Sequence, residues 1–169
     1  NNCELKDCFL GPGTKILSNS VIDGCKVESN STIGPFARIR PSSKIGANAQ
    51  IGNFVEIKNS NIGINSKINH LTFIGDSQIG DDVIIGAGSV TCNFDGTKPQ
   101  ETIIEDKAFV GSGVFLVAPL KVGNSATIGT GSIITEDVPS NKLTLARSKQ
   151  ITIENWKGPK HQRAARKKE

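Results

Sequence analysis

The 169-residue chain carries a formal net charge of +4, and 36% of its residues are hydrophobic but only 5% are aromatic, with one Trp and no Tyr. No apolar run approaches the roughly 18 residues that span a bilayer, and no signal peptide is visible, so we expect no association with a membrane. The length suits one domain, and the 18 glycines indicate many tight turns.

A six-residue spacing of aliphatic residues runs through most of the chain. Steps of six, with occasional fives, connect Leu10, Ile16, Val21, Val27, Ile33, Ile39, Ile45, Ile51, Ile57, Ile62, Ile68, Ile74, Ile79 and Ile85. After a break, the spacing resumes at Ile104, Val110, Leu116, Val122, Ile128 and Ile134. A β-sandwich would show hairpin turns every 8–12 residues or so and freer spacing. The period instead predicts an all-β fold, a parallel β-helix of hexapeptide repeats with coils about 4.8 Å apart.

Three hexads per coil would sort the inward positions into three columns. The first column contains Ile16, Ile33, Ile51, Ile68, Ile85, Val110 and Ile128. The second contains Val21, Ile39, Ile57, Ile74, Thr91, Leu116 and Ile134. The third contains Val27, Ile45, Ile62, Ile79, Ile104 and Val122. Residues at one fixed offset from a column then stack on successive coils.

The chain divides into a β-helix over residues 1–138 and a C-terminal arm with a basic tail over 139–169. The repeat breaks at an extruded loop, residues 92–103, which holds an Asp95-Gly96 turn signal. Such a loop either shapes a binding site or is a neutral insertion. The basic tail is either solvated or in contact with an anionic ligand, and no nucleic-acid-binding motif accompanies it.

Two cations stack one step after the second column, on adjacent coils: Arg40 and Lys58. At about 4.8 Å they repel by roughly 1 kcal/mol in water, and by about 3–4 kcal/mol at an effective dielectric constant of 20. An anion between them, most simply a phosphate, would turn this repulsion into a binding site. The alternative is that both side chains point into solvent.

His70 lies two steps after the first column, in line with Asn53, Ala87, Ser112 and Thr130. The small residues would leave a groove along the axis beside the imidazole, which suits a long, thin ligand. Tight corners select small residues anyway, but that does not explain a histidine. One step before the second column, Glu56 is placed to pair with Arg38 or to orient a nearby ring.

The motifs PFARIRP, IGNFVEIKNS, NHLTFIGD, IGAGSVTCNFDG, VGSGVFLVAP and LARS, in this order, give a specific resemblance. The chain resembles the C-terminal acetyltransferase domain of the bacterial bifunctional UDP-N-acetylglucosamine pyrophosphorylases / glucosamine-1-phosphate N-acetyltransferases, members of the hexapeptide-repeat transferase superfamily. The resemblance implies a left-handed β-helix and a homotrimer with active sites between subunits. It also implies acetyl transfer from acetyl-CoA to the amino group of glucosamine 1-phosphate, for UDP-N-acetylglucosamine and cell-envelope synthesis.

The resemblance also implies roles for individual residues. His70 matches the catalytic base, and Glu56 matches an acid that supports it. The positions that match substrate-binding residues are Arg40, Lys58, Phe73, Ile84 and Asn93. Those that match the acetyl-CoA site are Ala87, Asn93, Phe94, Ser112, Thr130 and Arg147.

Several of these positions depart from the family pattern. The family usually has Tyr at Phe73 and Phe94, Asn at Ile84 and Lys at Pro99, although Lys98 stands next door. Thr130 replaces the usual Ala, a smaller change. Each of the four larger changes removes a polar contact, and a lost hydrogen bond costs about 0.5–1.5 kcal/mol. Together they weaken sugar-phosphate binding or indicate a different amino sugar.

A neutral amine is needed to attack the thioester, and a histidine can take the amine proton near neutral pH. We expect His70 to do so without a covalent acyl-enzyme, with the oxyanion held by backbone N–H groups of the loop or of the corner at Ala87. Two alternatives are another phosphorylated amino-sugar acceptor and a non-catalytic β-helix assembly module.

The remaining expectations concern the cysteines and the longer protein of which this chain is expected to be a part. Four cysteines (Cys3, Cys8, Cys25 and Cys92) form no CxxC pair and no zinc spacing, so we expect free thiols in a reducing cytosol and no metal site. Cys92 is assigned no role. The chain does not begin with Met and is expected to be part of a longer protein, whose N-terminal uridylyltransferase domain would use UTP and Mg²⁺.

Overall fold

The computed structural model describes residues 2–156, and all regular secondary structure in this range is β-strand. The 23 strands form three parallel sheets, here called faces 1, 2 and 3. Face 1 contains β3 (Lys15–Ile16), β6 (Thr32–Ile33), β9 (Gln50–Asn53), β12 (Lys67–His70), β15 (Ile84–Ile85), β18 (Phe109–Val110), β21 (Thr127–Ile128) and β23 (Leu143–Thr144). Face 2 contains β1 (Glu4–Lys6), β4 (Val21–Asp23), β7 (Arg38–Ile39), β10 (Glu56–Lys58), β13 (Phe73–Gly75), β16 (Val90–Cys92), β19 (Phe115–Val117) and β22 (Ile133–Ile134). Face 3 contains β2 (Phe9–Leu10), β5 (Lys26–Val27), β8 (Lys44–Ile45), β11 (Asn61–Ile62), β14 (Ser77–Ile79), β17 (Thr102–Ile104) and β20 (Leu120–Val122).

From β1 to β22, each strand pairs in parallel with the strand three elements away in the chain, and β23 pairs with β21, so the chain winds as a solenoid. In face 2, for example, Ile57 of β10 aligns with Ile39 of β7 on one side and Ile74 of β13 on the other. The predicted left-handed parallel β-helix of hexapeptide repeats is therefore confirmed. Within the described range there is no helix that could cross a membrane.

The three columns form one continuous aliphatic core. Ile33, Ile39 and Ile45, one from each column, are fully buried, as are most of their counterparts on other coils. Burying an Ile side chain contributes about 1.5–3 kcal/mol. Because the prism interior is only as wide as three branched aliphatic chains, it is filled without large rings, which accounts for the low aromatic content.

One column position predicted from the sequence is wrong. Ile22, not Val21, aligns with Ile39 in face 2, while Val21 aligns with Arg38. Ile22 is fully buried and Val21 only half-buried. Ile22 lies a regular six residues after Ile16, so the step of five assumed there does not exist.

Strand pairing continues past residue 138. Val138 forms a parallel bridge with Val122, and β23 pairs with β21 so that Thr144 aligns with Ile128. The division of the chain at residue 138 stays a prediction. The basic tail from residue 157 onward lies outside the described residues.

The corner between faces 1 and 2 turns through a residue with positive φ on every coil. At the lowest of these corners the residue is Asn19, with φ +61°, and on the following three coils it is bulky: Phe36 has φ +56°, Phe54 +56° and Leu71 +50°. All three side chains are exposed, and the two phenylalanine rings stack at 5.4 Å. On the next three coils the same position is a glycine, at Gly88, Gly113 and Gly131. The outer edge therefore changes from a ridge of large side chains to a bare backbone directly above Leu71.

Candidate active site

His70 is the last residue of β12, and its side chain is exposed at this corner. Its Nδ1 lies 2.8 Å from Oδ1 of Asn53, which aligns with it on the coil below. An amide oxygen only accepts hydrogen bonds, so Nδ1 must carry the proton in this contact. In the neutral ring the lone pair is then on Nε2, the atom that remains available to act as a base.

The residues expected to line the acetyl-CoA site continue upward from His70. Its carbonyl accepts the Gly88 N–H at 3.2 Å, that of Ala87 accepts Gly113 N–H at 2.8 Å, and that of Ser112 accepts Gly131 N–H at 2.9 Å. Coil by coil, these bonds place Ala87, Ser112 and Thr130 in line above His70, spanning about 14 Å at the ordinary interstrand spacing.

The upper end of this column is held by the C-terminal arm. Arg147 donates from Nη1 to the carbonyl oxygen of Thr130 at 2.8 Å. A Cβ added at Gly113 or Gly131 would meet no atom within 4 Å. The space beside the column is therefore open along its length.

Arg40 and Lys58 lie on adjacent coils of face 2, as predicted, but each is paired with an acid. Arg40 Nη1 donates to Glu56 Oε1 at 3.1 Å, and Lys58 Nζ donates to Asp76 Oδ2 at 3.1 Å. The carboxylates relieve the repulsion between the two cations. Glu56 thus pairs with Arg40 rather than with Arg38, and the His70 ring donates its hydrogen bond to Asn53 rather than to Glu56.

Asp76, which the sequence did not single out, is the centre of a polar network at the base of the loop. Its carboxylate is 12% exposed and accepts hydrogen bonds from Lys58 Nζ, from Asn59 Nδ2 at 2.7 Å and from Asn93 Nδ2. Burial raises the pKa of Asp76, but the hydrogen bonds from Asn59, Asn93 and Lys58 outweigh it and hold the pKa below its ordinary value. The carboxylate is therefore charged at neutral pH.

Phe73 and Asn93 close around Gly75 in the same region. A Cβ at Gly75 would lie 2.7 Å from Asn93 Nδ2 and 2.8 Å from the Phe73 ring atoms Cε1 and Cζ. A side chain at position 75 would therefore displace the Phe73 ring or the Asn93 amide. Asn93 itself is buried, at 9% exposure.

The extruded loop, between β16 and β17, is ordered by its own hydrogen bonds. Asp95 accepts Gln100 Nε2 at 2.6 Å and the N–H groups of Thr97 and Lys98 at 2.8 and 2.9 Å, which lower its pKa. Phe94 and Pro99 form an antiparallel bridge across the loop. The loop is therefore an ordered part of the fold.

Two of the apolar replacements are exposed. Phe94, on the loop, is 63% exposed, and Ile84, on face 1, is 42% exposed beside Phe109 of the next coil. Neither Phe94 nor Ile84 has a side chain that can form a hydrogen bond with a ligand. A cleft of about 530 Å³ lies beside Arg40 on face 2 and extends to Arg38 and Asp23.

The site residues therefore form two groups. The corner column runs from His70 through Ala87, Ser112 and Thr130 to Arg147, and the face 2 group contains Arg40, Glu56, Lys58, Phe73 and Asn93. Across residues 2–156, no hydrogen bond or ion pair joins one group to the other. Over the same stretch, no cluster of three or more His, Cys, Asp or Glu side chains could hold a metal ion. Burial raises the pKa of the Cys92 thiol, which keeps it protonated and weakly nucleophilic.

Comparison with known proteins identifies relatives of this chain. Residues 24–59 match the family described as bacterial transferase hexapeptide (six repeats). The chain is 52% identical over 162 residues to the bifunctional protein GlmU of Methylococcus capsulatus, covering 96% of this chain and 35% of the relative. It is 53% identical over 158 residues to GlmU of Ruthia magnifica, covering 94% and 35%. The chain spans about a third of the length of these relatives.

Solved structures share the fold at low sequence identity. Perosamine N-acetyltransferase from Caulobacter crescentus, solved with CoA and GDP-perosamine, matches 69% of this chain and 53% of its own, with a TM-score of 0.62 and 22% identity. LpxA from Acinetobacter baumannii matches 87% and 66%, with a TM-score of 0.51 and 19% identity. These similarities concern the fold alone. The extensive identity to the curated relatives decides the assignment: the chain is a hexapeptide-repeat protein and a homologue of the C-terminal part of the bifunctional GlmU proteins.

Proposed function

We propose that this chain is a glucosamine-1-phosphate N-acetyltransferase, which transfers the acetyl group of acetyl-CoA to the sugar amine and yields N-acetylglucosamine 1-phosphate. The observation that carries the proposal is the Asn53–His70 hydrogen bond, because it leaves the Nε2 lone pair of an exposed ring available at the lower end of the corner column. Identity of about half the residues to GlmU proteins supports the choice of reaction.

In the proposed mechanism, His70 Nε2 removes a proton from the substrate ammonium group. The freed amine attacks the thioester carbonyl, so that a C–N bond forms and the C–S bond breaks. His70 then returns the proton it took to the CoA thiolate, and the second amine proton passes to water. Backbone N–H groups near Ala87 or in the loop would stabilise the oxyanion.

The corner column would hold acetyl-CoA. The fit rests on the glycine corners, where a side chain would meet open space, and on the small side chains of Ala87, Ser112 and Thr130. A long, narrow pantetheine arm needs this kind of uninterrupted surface. Phe94 and Asn93 on the loop and Arg147 on the arm would contact the same ligand.

Arg40 and Lys58 would bind the sugar phosphate. A guanidinium has five N–H donors and an ammonium has three, so each retains donors beyond its carboxylate partner. Phe73, Ile84 and Asn93 would surround the sugar, and Glu56 would act through its ion pair with Arg40 or support His70. We further propose a cytoplasmic homotrimer with sites between subunits, in which one subunit's corner column faces another subunit's face 2 group.

The test is acetyl-CoA-dependent acetylation of glucosamine 1-phosphate by the purified protein, followed by release of the free CoA thiol. His70→Ala is expected to lower turnover by about 10²–10⁴-fold, with the oligomer and circular dichroism unchanged. His161→Ala, which removes the other of the two histidines, is the matched control. Wild-type protein without activity, or His70→Ala at wild-type rate, would refute the proposed function or the proposed base, respectively.

A second acceptor is a different phosphorylated amino sugar, because Phe73 and Ile84 are apolar where the family pattern carries polar side chains. A panel of phosphorylated amino sugars in the same thiol assay distinguishes the two acceptors by kcat/KM. A non-catalytic assembly module would bind no acetyl-CoA in calorimetry.

A further inference from the structure

We propose that Asp76 is a positioning residue that fixes the extruded loop and Lys58 in one arrangement, and so determines affinity for the phosphorylated sugar. This inference rests on the proposed function for its kinetic test, and on the structure alone for its conformational test.

The first step is the position of Asp76 relative to the two ends of the loop. Its carboxylate accepts a hydrogen bond from Asn93, which directly follows β16, and its backbone carbonyl accepts the N–H of Thr102, the first residue of β17, at 3.2 Å. One residue therefore contacts the chain where the loop leaves the β-helix and where it returns. The loop's internal bonds to Asp95 order its tip but do not attach it to the coil below.

The second step concerns Lys58. A lysine side chain has a long flexible stem, and holding it in one place costs conformational entropy. Asp76 Oδ2 accepts from Lys58 Nζ at 3.1 Å, and the Asp76 N–H donates to the Lys58 carbonyl oxygen at 3.0 Å. The ammonium is thereby held beside the loop rather than extended into solvent, and it keeps two N–H donors for an anion.

The third step is that the Asp76 carboxylate contacts both the loop, through Asn93, and the Lys58 ammonium. Asn93 and Lys58 donate to the same oxygen, Oδ2, while Asn59 occupies Oδ1 at 2.7 Å. Movement of the loop therefore disturbs the Lys58 ammonium. Loss of the Asp76 carboxylate would release both Lys58 and Asn93. A carboxylate next to an anion site opposes anion binding directly, so its presence is explained by positioning rather than by contact with a phosphate.

The fold supplies a matched control at another corner. Asp82 has φ +57°, close to +49° at Asp76, and its carboxylate accepts an asparagine side chain from the coil below, Asn65 Nδ2 at 3.0 Å. Within residues 2–156, its side chain forms no hydrogen bond or ion pair with a lysine or with the loop. Asp82→Asn therefore removes a carboxylate from an equivalent ladder of polar side chains without touching the proposed machinery.

The kinetic test compares Asp76→Asn, Asp76→Glu and Asp82→Asn with the wild-type protein. Asp76→Asn is expected to raise KM for glucosamine 1-phosphate by about 10-fold or more, as expected for a lost hydrogen bond to a charged group. KM for acetyl-CoA should change by less than about 2-fold. Asp76→Glu, which keeps the charge, should recover part of the loss, and Asp82→Asn should behave as wild type. Equal effects on both KM values, or a lowered melting temperature with unchanged KM, would overturn the proposal.

The conformational test needs no turnover and stands even if the wild-type protein proves inactive. Hydrogen–deuterium exchange is measured on the purified protein for peptides that cover residues 93–104 and, as reference, the Asp82 corner. Asp76→Asn should accelerate exchange in the loop peptide several-fold, and Asp82→Asn should not. Unchanged loop exchange in Asp76→Asn contradicts the proposal, whatever the activity.

Discussion

The hydrogen bond between Asn53 and His70 should contribute directly to catalysis. The bond is 2.8 Å long and fixes both the ring orientation and the proton on Nδ1. A hydrogen bond of this kind is worth about 0.5–1.5 kcal/mol, which corresponds to about 2- to 13-fold in rate. Because the imidazole is exposed and water can replace the amide, we expect Asn53→Ala to lower kcat/KM by about 2- to 5-fold.

The assay is the initial rate of CoA thiol release at saturating acetyl-CoA and varied glucosamine 1-phosphate. Asn48→Ala is the matched control, because Asn48 donates to Asn65 Oδ1 at 3.2 Å in a similar exposed ladder at another corner. Nitrogen-15 NMR of the His70 ring at alkaline pH reports the tautomer independently. The wild-type ring should show Nδ1–H with an unprotonated Nε2, and Asn53→Ala should show a mixture of the two tautomers.

Two results would refute this reasoning. One is a kcat/KM for Asn53→Ala within experimental error of wild type, which would mean that Asn53 does not orient the base. The other is an equal loss in Asn48→Ala, which would mean that the loss reflects the stability of the coils rather than the tautomer of His70.

Two further predictions concern the polar network at the loop. Gly75→Ala places a methyl group within 3 Å of the Phe73 ring and the Asn93 amide. We therefore expect the free energy of unfolding to fall by about 1–3 kcal/mol in a urea titration, and the KM for the sugar phosphate to rise. A wild-type KM would contradict this prediction. The pKa of Asp76 is lowered from 3.8, so its stabilising contribution is present above about pH 4 and is lost as the pH falls through the lower, folded-state pKa. The difference in melting temperature between wild type and Asp76→Asn should therefore shrink below pH 4, and a difference that grows there would contradict the assignment.

The residues at the corner between faces 1 and 2 explain the position of His70. On the coil below, Phe54, and on the same coil, Leu71, project bulky side chains from residues with positive φ, a conformation that costs L-residues about 1–2 kcal/mol each. Above it, Gly88 takes the same conformation without that cost and leaves the surface bare. The histidine thus lies where the covered edge becomes an open one, and a ligand that follows the glycine corners reaches the imidazole at its end.

The repeat in the sequence was sufficient to predict the β-helix, its three columns and the alignment of His70 with Ala87, Ser112 and Thr130. In a parallel solenoid, a residue's place depends only on its offset from the nearest buried aliphatic residue, so counting locates it. Counting failed only where two adjacent aliphatic residues, Val21 and Ile22, competed for one inward position. Packing decides between such residues, because only one of them can point into the prism.

Hydrogen-bond partners were decided by the tertiary structure alone. The sequence placed Glu56 near Arg38 and gave no role to Asn53 or Asp76, whereas the structure pairs Glu56 with Arg40 and gives the other two the key contacts. The period fixes where a Cα lies along the coil, but a side chain reaches several neighbours above, below and across the corner. Which of them it bonds depends on rotamers and on the path of the inserted loop, and neither leaves a trace in the six-residue repeat.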